Sequence, residues 1–150
     1  MPSGASDQGG CSDILHATCV SLNGRGLLIQ GKSGSGKSAL ALQMMGMGCD
    51  LVADDRVALA VQNDRLTADA PPELPSLIEA RGVGILQAVL SGPARLVAVV
   101  DMDELEKERL PQKREMALKG QHLTLFYRIE GPHFASALVQ ILKQGWYDPE

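Results

Sequence analysis

An α/β nucleotide-binding domain, with a mixed, twisted central sheet around a phosphate-binding loop, is the fold class this sequence predicts, and three observations carry it. An apolar run, Gly26-Leu27-Leu28-Ile29-Gln30, leads into Gly31-Lys32-Ser33-Gly34-Ser35-Gly36-Lys37-Ser38, and Ala39 to Met45 behind it are strong helix formers. A second apolar run, Leu51-Val52-Ala53, ends at the adjacent acids Asp54 and Asp55, and a third, Ala94 to Val100, ends at Asp101. Aromatic residues make up 3% of a chain that is 45% hydrophobic, so the core must be aliphatic, built from Leu, Val, Ile, Ala and Met.

The 150 residues fit one domain. A chain of this length buries roughly two-thirds of the surface its unfolded form exposes. A formal net charge of −4 argues against nucleic-acid binding as the main function. No window approaches the roughly 18 unbroken apolar residues of a membrane span, and no basic segment with an apolar core behind it opens the sequence. A cytoplasmic protein without membrane association is expected. Cys11, Cys19 and Cys49 are odd in number and lack metal-ligand spacing, which points to reduced thiols and away from zinc.

In chain order, residues 1–13 are rich in Gly, Ser and Asp without periodicity and read as a disordered tail; the domain is expected over 14–145, with a short tail at 146–150. Thr18 to Leu22 and Leu27 to Gln30 flank the turn residues Asn23-Gly24-Arg25-Gly26 and form a hairpin that feeds the loop. His16 stands just before it; taken alone, a histidine there reads more readily as a solvated or capping residue than a catalytic one.

The loop has the pattern GxxxxGKS, and each residue type has a reason. Gly31, Gly34 and Gly36 permit positive φ and a close backbone approach, so that successive N–H groups and the helix N-terminus face an anion. Lys37 brings charge to the β/γ-phosphates and Ser38 a hydroxyl to Mg²⁺. The helix should stop near Gly46 and Gly48. Leu51 to Val57 is then expected as a strand whose end carries Asp54 and Asp55, where phosphate-loop proteins keep catalytic acids. Neighbouring side chains on a strand face opposite ways, so the two acids should have different jobs, one as base and the other orienting it or meeting Mg²⁺ through water.

Val57 to Val61 and Arg65 to Ala68 around Gln62-Asn63-Asp64 predict another hairpin, and Ala70 to Pro75 an extended connector. In Leu77 to Leu86, Glu79 and Arg81 share a face if extended, beside Gly82-Val83-Gly84. They suit Mg²⁺ and a phosphoryl oxygen, or equally an exposed pair of little energetic worth. Ala94 to Val100 looks like a strand covered on both faces and resembles a Walker-B strand, making Asp101 the rival for the Mg²⁺-linked acid. The charges from Asp101 to Pro111 should be mostly solvated. Leu123 to Ile129 predicts a strand, and Gly131-Pro132 opens a helix whose stripe of Phe134, Leu138, Ile141 and Leu142 belongs to the core.

Together these motifs resemble the catalytic domain of HPr kinase/phosphorylase and its phosphoenolpyruvate-carboxykinase-like fold. The resemblance rests on His16, Gly31 to Ser38, Ala53-Asp54-Asp55-Arg56-Val57, Glu79-Ala80-Arg81-Gly82-Val83-Gly84-Ile85 and Arg109, and covers roughly 14–143. It implies a kinase that uses ATP and Mg²⁺ to phosphorylate a seryl hydroxyl of the phosphocarrier protein HPr, within control of the phosphotransferase system and carbon metabolism. It also implies a reverse reaction with phosphate that releases pyrophosphate, and a homo-oligomer, since family members are hexameric. His16 becomes a catalytic residue, Glu79 a Mg²⁺ ligand with Ser38, Arg81 part of the nucleotide site, and Arg109 a stabiliser of phosphoryl charge on a mobile loop.

Three features depart from the family pattern. The usual amino-terminal domain has no counterpart ahead of Ile14, so a short single-domain bacterial form is expected. The span from Glu79 to Arg109 is trimmed. Gln121 to Phe126 lacks the usual Pro-Lys pair of a segment tied to dephosphorylation, so kinase activity should exceed phosphorolysis. Asp55 is the favoured base on the resemblance; the residues alone do not separate it from Asp54. Two other readings fit the loop: a small-metabolite kinase, against which no Arg-rich lid is evident, and a non-catalytic nucleotide-sensing module, against which both acids stand.

Overall fold

The computed structural model describes residues 13–148. The expected N-terminal tail, all but Asp13, and the end of the expected C-terminal tail lie outside the described residues. The elements run β1 (Asp13–Leu15), β2 (Thr18–Leu22), β3 (Arg25–Gln30), α1 (Lys37–Met45), β4 (Asp50–Ala53), β5 (Val57–Gln62), β6 (Arg65–Asp69), β7 (Leu77–Ala80), β8 (Gly84–Gln87), β9 (Ala94–Leu105), β10 (Arg114–Leu118), β11 (Gln121–Arg128) and α2 (Phe134–Gln144).

A nine-stranded mixed sheet has the order β1-β5-β6-β9-β3-β2-β4, with β11 also on β9 and β10 beyond it. The 12-residue β9 is its spine: parallel to β3 and to β11, antiparallel to β6 at its start. Because central strands are covered on both faces, their sequences are nearly continuous apolar runs. Period-two alternation sorts them: Val20, Leu27, Ile29, Ala98 and Val100 pack with Leu40 and Met44 of α1 and Leu138 and Leu142 of α2. Cys19, Leu28 and Val99 turn the other way, toward Leu59 of β5, Leu66 of β6 and Leu123 of β11, where the curled sheet packs on itself. Leu138 and Leu142 of the α2 stripe are buried. Trp146, in the segment read as a tail, packs edge-on to Phe126 with ring centroids 5.8 Å apart. No helix among the described residues is long and apolar enough to cross a membrane. Cys19 and Cys49 are free and buried, and burial raises the pKa of both thiols.

Three hairpins close through two-residue turns with both residues at positive φ: Asn23-Gly24, Asn63-Asp64 and Lys119-Gly120. Such primed turns match the right-handed twist of their strands. The third was not foreseen, because Glu115-Met116-Ala117-Leu118 is a run of helix formers; the Lys119-Gly120 turn and pairing with β11 override that local preference. Three other expectations shift. The strand carrying the paired acids ends at Ala53, so Asp54 and Asp55 occupy the turn between β4 and β5. β9 does not stop at Asp101 but continues to Leu105, its backbone held by β11 across a bulge. The proline-rich connector bends at Pro71 to Leu74, closed by the Leu74 N–H on the Pro71 carbonyl at 3.1 Å. Finally, β7 and β8 form a separate two-stranded sheet.

Candidate active site

The site is assembled where β3 and β4 end, beside Asp101 to Asp103 of β9. The Gly31–Ser38 loop joins β3 to α1, and its glycines are fixed by space as well as by dihedral angle. Gly31 has φ 150°, and a Cβ there would lie 2.5 Å from Ser35 Oγ and 3.0 Å from Met102 Cβ. Gly36, at φ 100°, caps α1 without a side-chain hydrogen bond, so the first-turn N–H groups have no side-chain cap. That is an arrangement able to hold an anion. Lys37 is buried, and its ammonium donates to the carbonyls of Gly31 at 2.7 Å and Lys32 at 3.1 Å. On the outer side, the Lys32 N–H donates to both carboxylate oxygens of Asp103 at 3.1 Å, and the Asp103 N–H donates to Asp101 Oδ1 at 2.9 Å. Asp101, the rival acid of the sequence reading, thus braces the loop's flank.

The paired acids have different partners. Asp54 Oδ1 accepts two hydroxyls, Ser38 Oγ at 2.7 Å and Thr18 Oγ1 at 2.8 Å. Asp55 sits at φ 75°, its N–H on Thr18 Oγ1 at 3.4 Å and its Oδ1 2.6 Å from His16 Nε2. Both members of the His16–Asp55 pair are more than half exposed, so the pair adds little stability.

A cavity of about 320 Å³ gathers Ser33, Gly34, Gly36, Lys37, Ser38, Asp55, Glu79 and Arg81. A second, of about 410 Å³, shares Ser38, Asp55 and Glu79 with it and continues over Asp54, Arg56, Leu74, Pro75, Leu77 and Ile85. Glu79 reaches the site from β7, where it pairs with Ile85 of β8, and Arg81 from the turn that follows. His16 joins through Asp55. Arg109 is the exception: it is exposed in the loop between β9 and β10 and lines neither cavity. That loop is tied at its base by Glu106, whose carboxylate takes the Arg114 guanidinium and the N–H groups of Lys107 and Glu108 at 3.1 Å. Arg114 in turn lies 4.2 Å from the Tyr127 ring centroid. Burial works against the Glu106 carboxylate, yet these donors outweigh it and lower its pKa.

Among the described residues no group of three or more His, Cys, Asp or Glu is arranged to hold a metal ion. The donors present are the Ser38 hydroxyl with the Asp54 carboxylate on it, and Glu79 across the same cavity. Few, hard oxygen donors are the kind that suit Mg²⁺, an ion that keeps several of its waters. Thr18 was missed by the sequence reading: a threonine at a strand start is ordinary, and its partners lie on a turn far along the chain.

Residues 10–98 match the family model described as the HPr Serine kinase C-terminal domain. A curated protein from Lactiplantibacillus plantarum named HPr kinase/phosphorylase is 33% identical over 126 residues, 81% of this chain and 40% of the relative. One of the same name from Enterococcus faecalis is 37% identical over 103 residues, 63% of this chain and 33% of its own length. The chain therefore spans less than half the length of these curated relatives. A solved structure described as the Hpr(Ser) kinase/phosphatase from Coxiella burnetii superposes with a TM-score of 0.73 at 22% identity, covering 87% of this chain and 88% of that one. This likeness is one of fold.

Proposed function

The chain belongs to the family of the HPr serine kinase C-terminal domain, and on that premise we propose that it is an ATP-dependent kinase for a seryl hydroxyl of an HPr-like phosphocarrier protein. The observation that carries the reading is the cavity where Lys37 and the Gly31–Ser38 loop face the His16-paired Asp55. The reverse reaction, with phosphate giving pyrophosphate, is the secondary activity. The enzyme acts in the cytoplasm, as a homo-oligomer whose size gel filtration with light scattering measures.

In the proposed mechanism the N–H groups of the loop and of the first turn of α1 hold the β- and γ-phosphates, with Lys37 adding charge. Ser38, with Asp54 or Glu79, would hold Mg²⁺, which when bound neutralises charge on the phosphates. Asp55 takes the proton from the acceptor hydroxyl as its oxygen forms a bond to the γ-phosphorus and the bond to the β–γ bridging oxygen breaks. His16 holds the Asp55 carboxylate in place during that transfer. In reverse, Asp55 returns the proton to the departing seryl oxygen. Arg81 supports the phosphates from the β7–β8 turn, and Arg109 reaches the transferring group from its loop.

Incubation with HPr, ATP and Mg²⁺ followed by mass analysis of HPr tests the reading, with a metabolite panel alongside. Phosphoseryl-HPr is the expected product. Labelling of a metabolite alone would make the chain a small-metabolite kinase, and ATP binding without any transfer a sensing module.

A further inference from the structure

Thr18 is fully buried, yet its hydroxyl serves both acids of the β4–β5 turn. A hydroxyl carries one donor hydrogen and two acceptor lone pairs. The Asp55 N–H can only donate and an ionised Asp54 only accept, so the direction of both bonds is fixed: Thr18 gives its hydrogen to Asp54 and takes that of Asp55. Its own position is set by the sheet, where Thr18 pairs with Ile29 of β3. Its chain neighbours Ala17, Cys19 and Val20 are buried and apolar, and a valine of nearly the same shape would suit a buried strand. The bonds of this oxygen go to Asp54 and Asp55, beside the cavity that Thr18 helps to line.

We propose that Thr18 is a positioning residue that couples the two carboxylates, holding Asp54 against the Ser38 hydroxyl while anchoring the backbone that presents Asp55 to His16. The assignment rests on the kinase reading for its catalytic consequence but not for its geometry. Asp54 shares one oxygen between Thr18 and Ser38, so losing Thr18 frees the carboxylate to leave Ser38. Asp55 stands in a left-handed conformation that few non-glycine residues adopt, and the Thr18 oxygen is the side-chain acceptor for its N–H. Removing one hydroxyl therefore disturbs two groups with different jobs.

The test compares Thr18→Val, which keeps shape, with Thr18→Ser, which keeps the hydroxyl, reading ATP affinity across a Mg²⁺ titration, amide exchange at Asp55 and transfer to HPr. Thr18→Val is expected to need roughly tenfold more Mg²⁺ and to lose about tenfold in transfer, the usual scale for a residue that orients a ligating group. ATP affinity without Mg²⁺ stays unchanged, the Asp55 amide exchanges faster, and Thr18→Ser stays near wild type. Adding Thr18→Val to Asp54→Asn should shift the Mg²⁺ requirement no further, because the two act through one interaction. Wild-type Mg²⁺ dependence and Asp55 exchange in Thr18→Val would overturn the proposal, as would a Thr18→Ser variant equally impaired, which would leave only packing. Should Thr18→Val not fold, exchange in the wild-type protein decides: an Asp55 amide no better protected than that of Arg56 also overturns it. If HPr is never phosphorylated the kinase reading fails, while the Mg²⁺ and exchange measurements still judge Thr18.

Discussion

The turn after β4 and the loop after β9 both carry charged residues assigned to phosphoryl transfer, but they are held in opposite ways. Asp54 and Asp55 are fixed one by one, through hydroxyls from β2 and α1 and through His16. Arg109 stands exposed on a loop that is clamped only at its base, by Glu106 and Arg114. In the proposed mechanism the difference separates groups already held at the cavity from one that stands outside it. A general base gains from preorganisation, whereas a charge stabiliser is needed only once charge develops on the transferring group.

The hardest way to break the comparison is at Lys37, which belongs to the fixed side. Lys37→Ala should abolish transfer to HPr, because it removes the charge from the cavity and also frees the Gly31 and Lys32 carbonyls. Near wild-type transfer by that variant would sink the loop assignment. Next comes the acid turn: Asp55→Asn should keep ATP binding but lose roughly two to four orders of magnitude in transfer, the range for a general base. A dead Asp54→Asn beside a nearly normal Asp55→Asn would reverse the two roles. On the exposed loop, Arg109→Ala should cost about a hundredfold, the scale of one charge-stabilising donor, in both directions. ATP affinity should be spared, which calorimetry checks. In the wild type, pyrophosphate release from phosphoseryl-HPr at saturating phosphate should run well below the forward rate; equal rates would make the departures at Gln121 to Phe126 silent.

The smallest effect concerns the clamp itself. Glu106 has a lowered pKa when folded, so its contribution is present above the ordinary carboxylate value of 4.5 and is lost as pH falls through the lower folded value. Melting temperature followed downward from pH 6 should therefore fall more steeply in wild type than in Glu106→Gln. At neutral pH the variant should melt a few degrees lower, each kcal/mol being worth roughly 2–4 °C in a domain of this size. Parallel curves would show that the clamp adds no stability.

What could be read from the sequence was what local chemistry writes down. The loop glycines, the Asn-bearing hairpin turns and the both-face apolar runs each have a short-range signature, and the placement of Lys37, Ser38, Asp55, Glu79 and Arg81 around one cavity follows the expected motifs. What escaped depends on distant partners. β10 exists because β11 is there to pair with it, and β9 runs past its charges for the same reason. Thr18 looks like any strand threonine until the sheet brings the β4–β5 turn beside it. Asp101 and Asp103 read as solvated or metal-linked acids, yet together they brace the loop, because β3 runs parallel to β9 and its last residue, Gln30, pairs with Asp101.

The left-handed backbone of Asp55 carries a lesson for anyone engineering this chain. A non-glycine residue held in such a conformation costs on the order of 1 kcal/mol, and glycine removes that strain. The side-chain bond given up in exchange is an exposed one to His16. A library ranked by heat resistance alone should therefore keep Asp55→Gly, with a melting temperature no lower than the parent's, while an activity screen of the same library should discard it. Position 55 is where the two rankings ought to part, so rounds of selection for robustness need an activity filter at every step.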